Sequence, residues 1–140
     1  MTDGELLDGL RRAGVGDVDG SGLARALYSS DGSLYRVLPR AVVRPRDADE
    51  VVAALSVCRE LGVPLTMRGA GTSIAGNAVG PGVVVDTSRH LARVESIDPE
   101  ARTAVVSPVW CRPRCRPPPT RTVCASGRTP ARTTAARSAG

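Results

Sequence analysis

The fifteen residues Arg68-Gly69-Ala70-Gly71-Thr72-Ser73-Ile74-Ala75-Gly76-Asn77-Ala78-Val79-Gly80-Pro81-Gly82 include five glycines. Glycine takes positive φ without steric cost and lets successive N–H groups converge on an anion, and Thr72 and Ser73 add hydroxyl donors. The chemistry such a loop suits is the holding of a diphosphate. Two familiar phosphate loops do not match it. A dinucleotide-binding Rossmann loop runs into a helix whose N-terminus faces the phosphate, and Gly76, Gly80, Pro81 and Gly82 forbid a long helix here. A Walker-type loop needs a lysine, and the chain contains none. Spacing by itself leaves two readings open, a phosphate cradle and a glycine-rich surface loop without a ligand.

Few other side chains offer chemistry. His90 is the single histidine, and the four cysteines are Cys58, Cys111, Cys115 and Cys124. Three cysteines near the C-terminus without a nearby histidine make a weak metal pattern, and no secretory context marks them as a disulfide framework. Cys58 lies on the apolar side of an expected helix and reads as core. Neither a catalytic residue nor a metal ligand is assigned.

The elements that must position the loop follow from local signals. Ala41-Val42-Val43-Arg44-Pro45 reads as a short strand ended by proline. Asp47, with Glu50 three residues on, forms a capping box that opens a helix, whose apolar face is expected at Val51, Leu55 and Cys58. Gly62 and Pro64 end that helix, and Pro64-Leu65-Thr66-Met67 follows as a second strand. The unit is β-α-β, which makes the two strands parallel. Gly82-Val83-Val84-Val85-Asp86 is a third strand, apolar enough to be buried on both faces. Val94-Glu95-Ser96-Ile97 and Thr103-Ala104-Val105-Val106 form a hairpin around Asp98-Pro99-Glu100-Ala101. Upstream, Leu6, Leu7 and Leu10 before Gly14, and Leu23, Ala26 and Leu27 after Ser21, predict two short helices.

Charge divides the chain. All 19 basic residues are arginine, and all 14 acidic residues lie at or before Glu100. Residues 1–108 hold twelve arginines against fourteen acids, a net of −2, whereas residues 109–140 hold seven arginines and no acid. The net +5 therefore belongs to the tail. The absence of lysine and phenylalanine beside abundant Arg, Ala, Gly and Pro is the signature of a GC-rich coding sequence. No run approaches the roughly 18 to 20 apolar residues of a membrane span, and the acidic N-terminus is no signal peptide. No transmembrane segment and a cytoplasmic location are expected.

The string from Pro64 to Gly80, preceded by Val42-Val43-Arg44-Pro45 and by a helix containing Asp49-Glu50-Val51, resembles the N-terminal half of the FAD-linked oxidases. These carry the p-cresol methylhydroxylase or vanillyl-alcohol oxidase type of flavin domain, found also in bacterial D-lactate dehydrogenases and glycolate oxidase flavin subunits. The stretch Tyr28-Ser-Ser-Asp-Gly-Ser-Leu-Tyr-Arg36 is similar to the lead-in of the long forms that precede an iron–sulfur domain. The resemblance covers about Tyr28 to Ser107. It implies an α+β fold, the N-terminal β-α-β subdomain of a truncated FAD-binding domain, with FAD as cofactor. It also implies that the backbone of Arg68, Gly69, Ala70, Gly71, Thr72 and Ser73 wraps the FAD pyrophosphate while Gly76, Asn77 and Ala78 line the same cofactor. Asp86 and Thr87 stand either near the cofactor or as a buried strand end. In the family the acid–base groups come from the C-terminal half, so His90 is expected to be a turn residue. The parent activity implied is hydride transfer from the α-carbon of a small 2-hydroxy acid to FAD, with electrons passed to an acceptor.

The organisation expected is a helical lead-in over residues 1–40, a partial flavin domain over 41–107, and a disordered Arg/Pro-rich tail over 108–140. After Pro108 the family pattern stops. Read one base out of frame from the third base of the Pro108 codon, the tail permits a continuation of the flavin pattern from Thr120 onward. The tail is therefore expected to be out-of-frame peptide, the fragment to be inactive alone, and no nucleic-acid partner to exist. The alternative is a small binding protein that uses the basic tail as a nucleic-acid arm, since arginines bind phosphates without sequence preference.

Overall fold

The computed structural model describes residues 2–107. The elements run α1 (Asp3–Arg12), β1 (Val18–Asp19), α2 (Gly22–Leu27), β2 (Ala41–Val43), α3 (Ala48–Glu60), β3 (Leu65–Arg68), β4 (Val83–Asp86), β5 (Val94–Asp98) and β6 (Thr103–Val106). The main sheet has the order β1-β2-β4-β3, and β5 with β6 makes a separate hairpin. Strands β2, β4 and β3 are parallel, and β1 runs antiparallel along β2. The expected parallel relation of β2 and β3 holds, but β4 enters between them and pairs with both. Its three valines are buried on both faces, which explains the unbroken apolar run. The membership of Val18 and Asp19 in this sheet is not legible in the sequence.

Helix ends follow from their capping chemistry. The Thr2 side chain accepts from the Glu5 amide and Glu5 reaches back to Thr2, a complete capping box at the start of α1. Gly14 and Gly62 take φ of 92° and 63°, the left-handed conformation that stops a helix. After each, a two-bond Schellman pattern closes the last turn: Gly14 N to Arg11 O with Val15 N to Leu10 O, and Gly62 N to Arg59 O with Val63 N to Cys58 O. At α3, Asp47 caps the Glu50 amide as expected. The reciprocal half differs, because the Glu50 carboxylate accepts from Arg46 N and from Gly16 N, both at 3.3 Å. It thereby ties α3 to the turn after α1.

One face of the sheet, Ala41, Val43, Val83 and Val85, packs against Leu6 and Leu10 of α1 and Ala54, Val57 and Cys58 of α3. One expected helix face is corrected here. Leu55 is 46% exposed, and the stripe of α3 is rotated onto Ala54, Val57 and Cys58, because α1 and the sheet lie on that side. In α2 the buried residue is Ala24, while Leu23 and Leu27 are 72% and 64% exposed. Arg25 turns inward there, its Nε donating to Pro39 O at 2.7 Å. Val42 and Val84, on the second face of the sheet, are fully buried. The hairpin residues of β5 and β6 are exposed on both faces, and β3 forms an open edge of the main sheet.

Candidate functional site

The glycine-rich loop leaves the C-terminal end of β3, and the next strand, β4, ends beside it at the register pair Arg68 and Asp86. In parallel α/β architecture, ligands bind at the carboxyl ends of the strands. Thr87 braces the start of the loop, its N and Oγ1 both donating to Arg68 O, at 2.9 and 3.2 Å. No helix forms between residues 69 and 82, as the glycines and Pro81 require. Gly71 and Gly76 hold φ of 67° and 78°, which an L side chain adopts only at a cost.

Hydrogen bonding divides the loop into two parts. Its second half is tied down: Ser73 Oγ accepts from Ala75 N at 3.3 Å and from Asn77 N at 3.0 Å, and Ala78 N donates to Asp31 Oδ2 at 3.2 Å. The N–H groups of residues 69 to 74 donate to no acceptor among the described residues. A run of amides with no protein partner is a ready receptor for an anion.

The Arg68 side chain lies along the loop beside Gly71. Its Nη1 donates to Ser30 O at 2.9 Å and to Ala78 O at 3.1 Å, and its guanidinium lies 5.1 Å from the centre of the Tyr28 ring. Gly71 packs against this guanidinium with no room for a Cβ. Arg68 thus ties the start of the loop to Ser30 and to the loop's second half at Ala78.

Tyr28 is the centre of a network that sequence reading did not single out. Arg44 also stands over its ring, 5.4 Å from the centre. The Tyr28 hydroxyl donates to Asp86 Oδ2 at 2.5 Å and accepts from Arg44 Nε at 3.4 Å. Burial, and then the bond to Asp86, push the phenol's pKa up. Arg44, 8% exposed, meets Asp17 at 3.0 Å and Asp19 at 3.7 Å. Asp86 and Thr87 are buried, and Asp86 Oδ1 accepts from Ser88 N and Oγ at 2.8 and 2.6 Å. The one available signal was the rarity of aromatics: the chain has two tyrosines, one tryptophan and no phenylalanine.

The remaining candidates separate from this site. His90 lies in the turn after β4, partly exposed. Cys58 is buried in the core on α3, and burial raises its thiol pKa. Among the described residues no His, Cys, Asp or Glu cluster could hold a metal, and no helix is long and apolar enough to cross a membrane. Cys111, Cys115, Cys124, the basic tail and the frame change all fall outside the described residues.

The chain resembles known proteins along most of this region. It is 37% identical over 102 residues to D-2-hydroxyglutarate dehydrogenase of Pseudomonas putida, covering 70% of this chain and 10% of that protein. It is 36% identical over 98 residues to glycolate oxidase subunit GlcD of Bacillus subtilis, covering 69% and 21%. The chain thus spans between a tenth and about a fifth of the length of these relatives. Among solved structures, BBE-like 1 of Physcomitrella patens superposes with a TM-score of 0.62 at 26% identity over 76% of this chain and 23% of that one. Alkyldihydroxyacetonephosphate synthase shares the fold with a TM-score of 0.63 at 21% identity, covering 74% and 22%. The model of the FAD binding domain family matches residues 39–109, a span that contains β2, α3, β3, β4 and the whole glycine-rich loop; the chain belongs to the FAD binding domain family, and its cofactor is FAD.

Proposed function

We propose that residues 68–73, with Gly76, Asn77 and Ala78, hold the diphosphate of FAD. The observation that carries this is the run of N–H groups from residue 69 to residue 74, unpartnered among the described residues and held on a loop that is fixed at both ends. The group fits the residues present. Gly71 has positive φ, and the first half of the loop presents a narrow backbone surface, which a phosphate can approach closely. Arg68 contributes through its side chain by fixing the loop and through its backbone by starting it.

The parent reaction we infer is oxidation of a small 2-hydroxy acid, a reading supported by the likeness to D-2-hydroxyglutarate dehydrogenases and glycolate oxidase subunits. FAD, when bound, supplies the hydride acceptor in that chemistry, and a further electron acceptor receives the electrons. What the described residues do is bind and orient. The loop fixes the diphosphate end, Thr87 anchors the strand from which the loop departs, and no described residue is assigned to proton transfer.

The test is titration of the purified 140-residue chain with FAD, followed by flavin fluorescence, beside the variant Gly71→Ala. Alanine at a φ of 67° is strained and displaces the Arg68 guanidinium. Saturable quenching in the wild type that weakens by about tenfold in the variant is expected, from a strain of about 1 to 2 kcal/mol. Equal quenching in both proteins would overturn the assignment of the loop.

A further inference from the structure

Residues 30–33 run as a strap beneath the glycine-rich loop, and their contacts converge on it. Ser30 O receives Arg68 Nη1 at 2.9 Å, the nitrogen that also reaches Ala78 O at 3.1 Å. Asp31 makes the complementary contacts. Its Oδ2 accepts from Ala78 N at 3.2 Å, and its Oδ1 accepts from Ser33 N and Ser33 Oγ at 2.9 and 2.5 Å. Asp31 and Arg68 therefore grip opposite poles of one residue, Ala78, the carboxylate taking its N–H and the guanidinium its carbonyl.

Gly32 packs against the backbone of the loop. A Cβ there would stand 3.2 Å from the carbonyl oxygens of both Thr72 and Ser73 and 3.3 Å from the Thr72 carbonyl carbon, all of them backbone atoms. A side chain at residue 32 would therefore push this part of the loop away from the strap.

We propose that Ser30–Ser33 is the positioning element of the anion cradle, with Gly32 letting the strap close against the backbone of Thr72 and Ser73 and Asp31 with Arg68 locking the loop through Ala78. This rests on the diphosphate reading given above, which it deepens. Asp31, an acid next to an anion site, is compatible with it because its oxygens are engaged by Ala78 and Ser33 beneath the loop. The strap adds no direct ligand; it acts through the backbone it orients.

The experiment is nitrogen-15 relaxation on the full 140-residue chain, with an FAD titration followed on the same amides, for wild type, Asp31→Asn, Gly32→Val and the exposed control Leu34→Ser. In the wild type, residues 69–77 are expected near the rigid order parameter of about 0.85, with Ser73 and Ile74 shifted by FAD. Asp31→Asn and Gly32→Val should lower the loop below about 0.6 and weaken FAD by about tenfold or more, leaving β2 and β4 unchanged. Leu34→Ser should do neither. Loop order unchanged in both strap variants would overturn the proposal, as would an equal loss of order in β2 and β4, which marks general destabilisation. Loop loosening in the variants together with no FAD-induced shift in the wild type would support the strap and sink the diphosphate reading instead.

Discussion

Tyr28→Phe isolates a single hydroxyl in the most connected part of the fold. The ring stays, so the two guanidinium contacts at 5.4 and 5.1 Å are retained. What is lost is the donor to Asp86 Oδ2 at 2.5 Å and the acceptor for Arg44 Nε at 3.4 Å. Arg44 keeps Asp17 and Asp19, so its loss is small. Asp86 is 5% exposed and keeps two donors from Ser88, both on its other oxygen. A hydrogen bond to a charged group contributes about 1.5 to 3 kcal/mol, and a buried acceptor left unmet bears its desolvation in full. The expected loss is therefore about 2 kcal/mol, or roughly 8 to 10 °C in Tm for a domain near 100 residues. Thermal melts of the full chain by circular dichroism measure it. A fall of less than about 2 °C would refute the reasoning, since it would mean that Asp86 gains nothing from the phenol. The pH dependence supplies a second check. The phenol's pKa is raised in the fold, so its contribution is complete below the unfolded value near 10 and is lost as pH rises through the folded value. Wild type should thus lose stability in the alkaline range, and Tyr28→Phe should lose less.

Three further outcomes follow from other parts of the structure. Gly82→Ala drives a Cβ into the Pro64 carbonyl, which is backbone and already accepts from Val83 N at 2.9 Å, so the β3–β4 pairing must shift and the variant should lose about 3 kcal/mol or more by denaturant titration. Gly22→Ala, at the first position of α2 with no atom within 4 Å of the new Cβ, should by contrast stabilise by up to about 1 kcal/mol in the same assay. In acid, Glu5 is held below the usual carboxylate range by the Thr2 amide, Asp19 by the Ser21 amide and Asp31 by the Ser33 hydroxyl. Their contribution is present above the unfolded values near pH 4 and lost as pH falls through the lowered folded values, so the denaturation midpoint should be level at neutral pH and fall below about pH 4, less steeply in Asp31→Asn.

Much of the scaffold was legible because its signals are local. The stops at Gly14 and Gly62, the cap at Asp47, and the runs of valine in β2 and β4 each act through residues within one turn or one strand. The absence of a helix after β3 was legible for the same reason. What failed was direction. Periodicity identified α2 and α3 as helices, but the side each buries depends on neighbours distant in sequence, and so Leu55 stands exposed where the apolar face of α3 was expected. The insertion of β4 between β2 and β3 is likewise a fact of topology that no local pattern encodes. The bonds that shape the site share this character. Glu50 to Gly16, Arg68 to Ser30, Asp31 to Ala78 and Tyr28 to Asp86 join residues 34, 38, 47 and 58 positions apart.

Arg68 shows what that distance changes in the chemistry. An arginine opening a glycine-rich phosphate loop invites a direct role, because the guanidinium fork matches phosphate geometry. Here one nitrogen of the fork, Nη1, is committed to two carbonyls, while the guanidinium faces the Tyr28 ring and packs against Gly71. Its positive charge therefore lies beside Gly71, within the run of amides from residue 69 to residue 74. Amide dipoles of this kind are effective only when they converge, since each carries a fraction of a charge. The loop that carries them is held by the strap packed against Thr72 and Ser73 and by the Tyr28 stack that seats Arg68. On the diphosphate reading proposed above, affinity is thus encoded partly in residues that need not touch the ligand, which explains why a loop motif alone left the question of a ligand open.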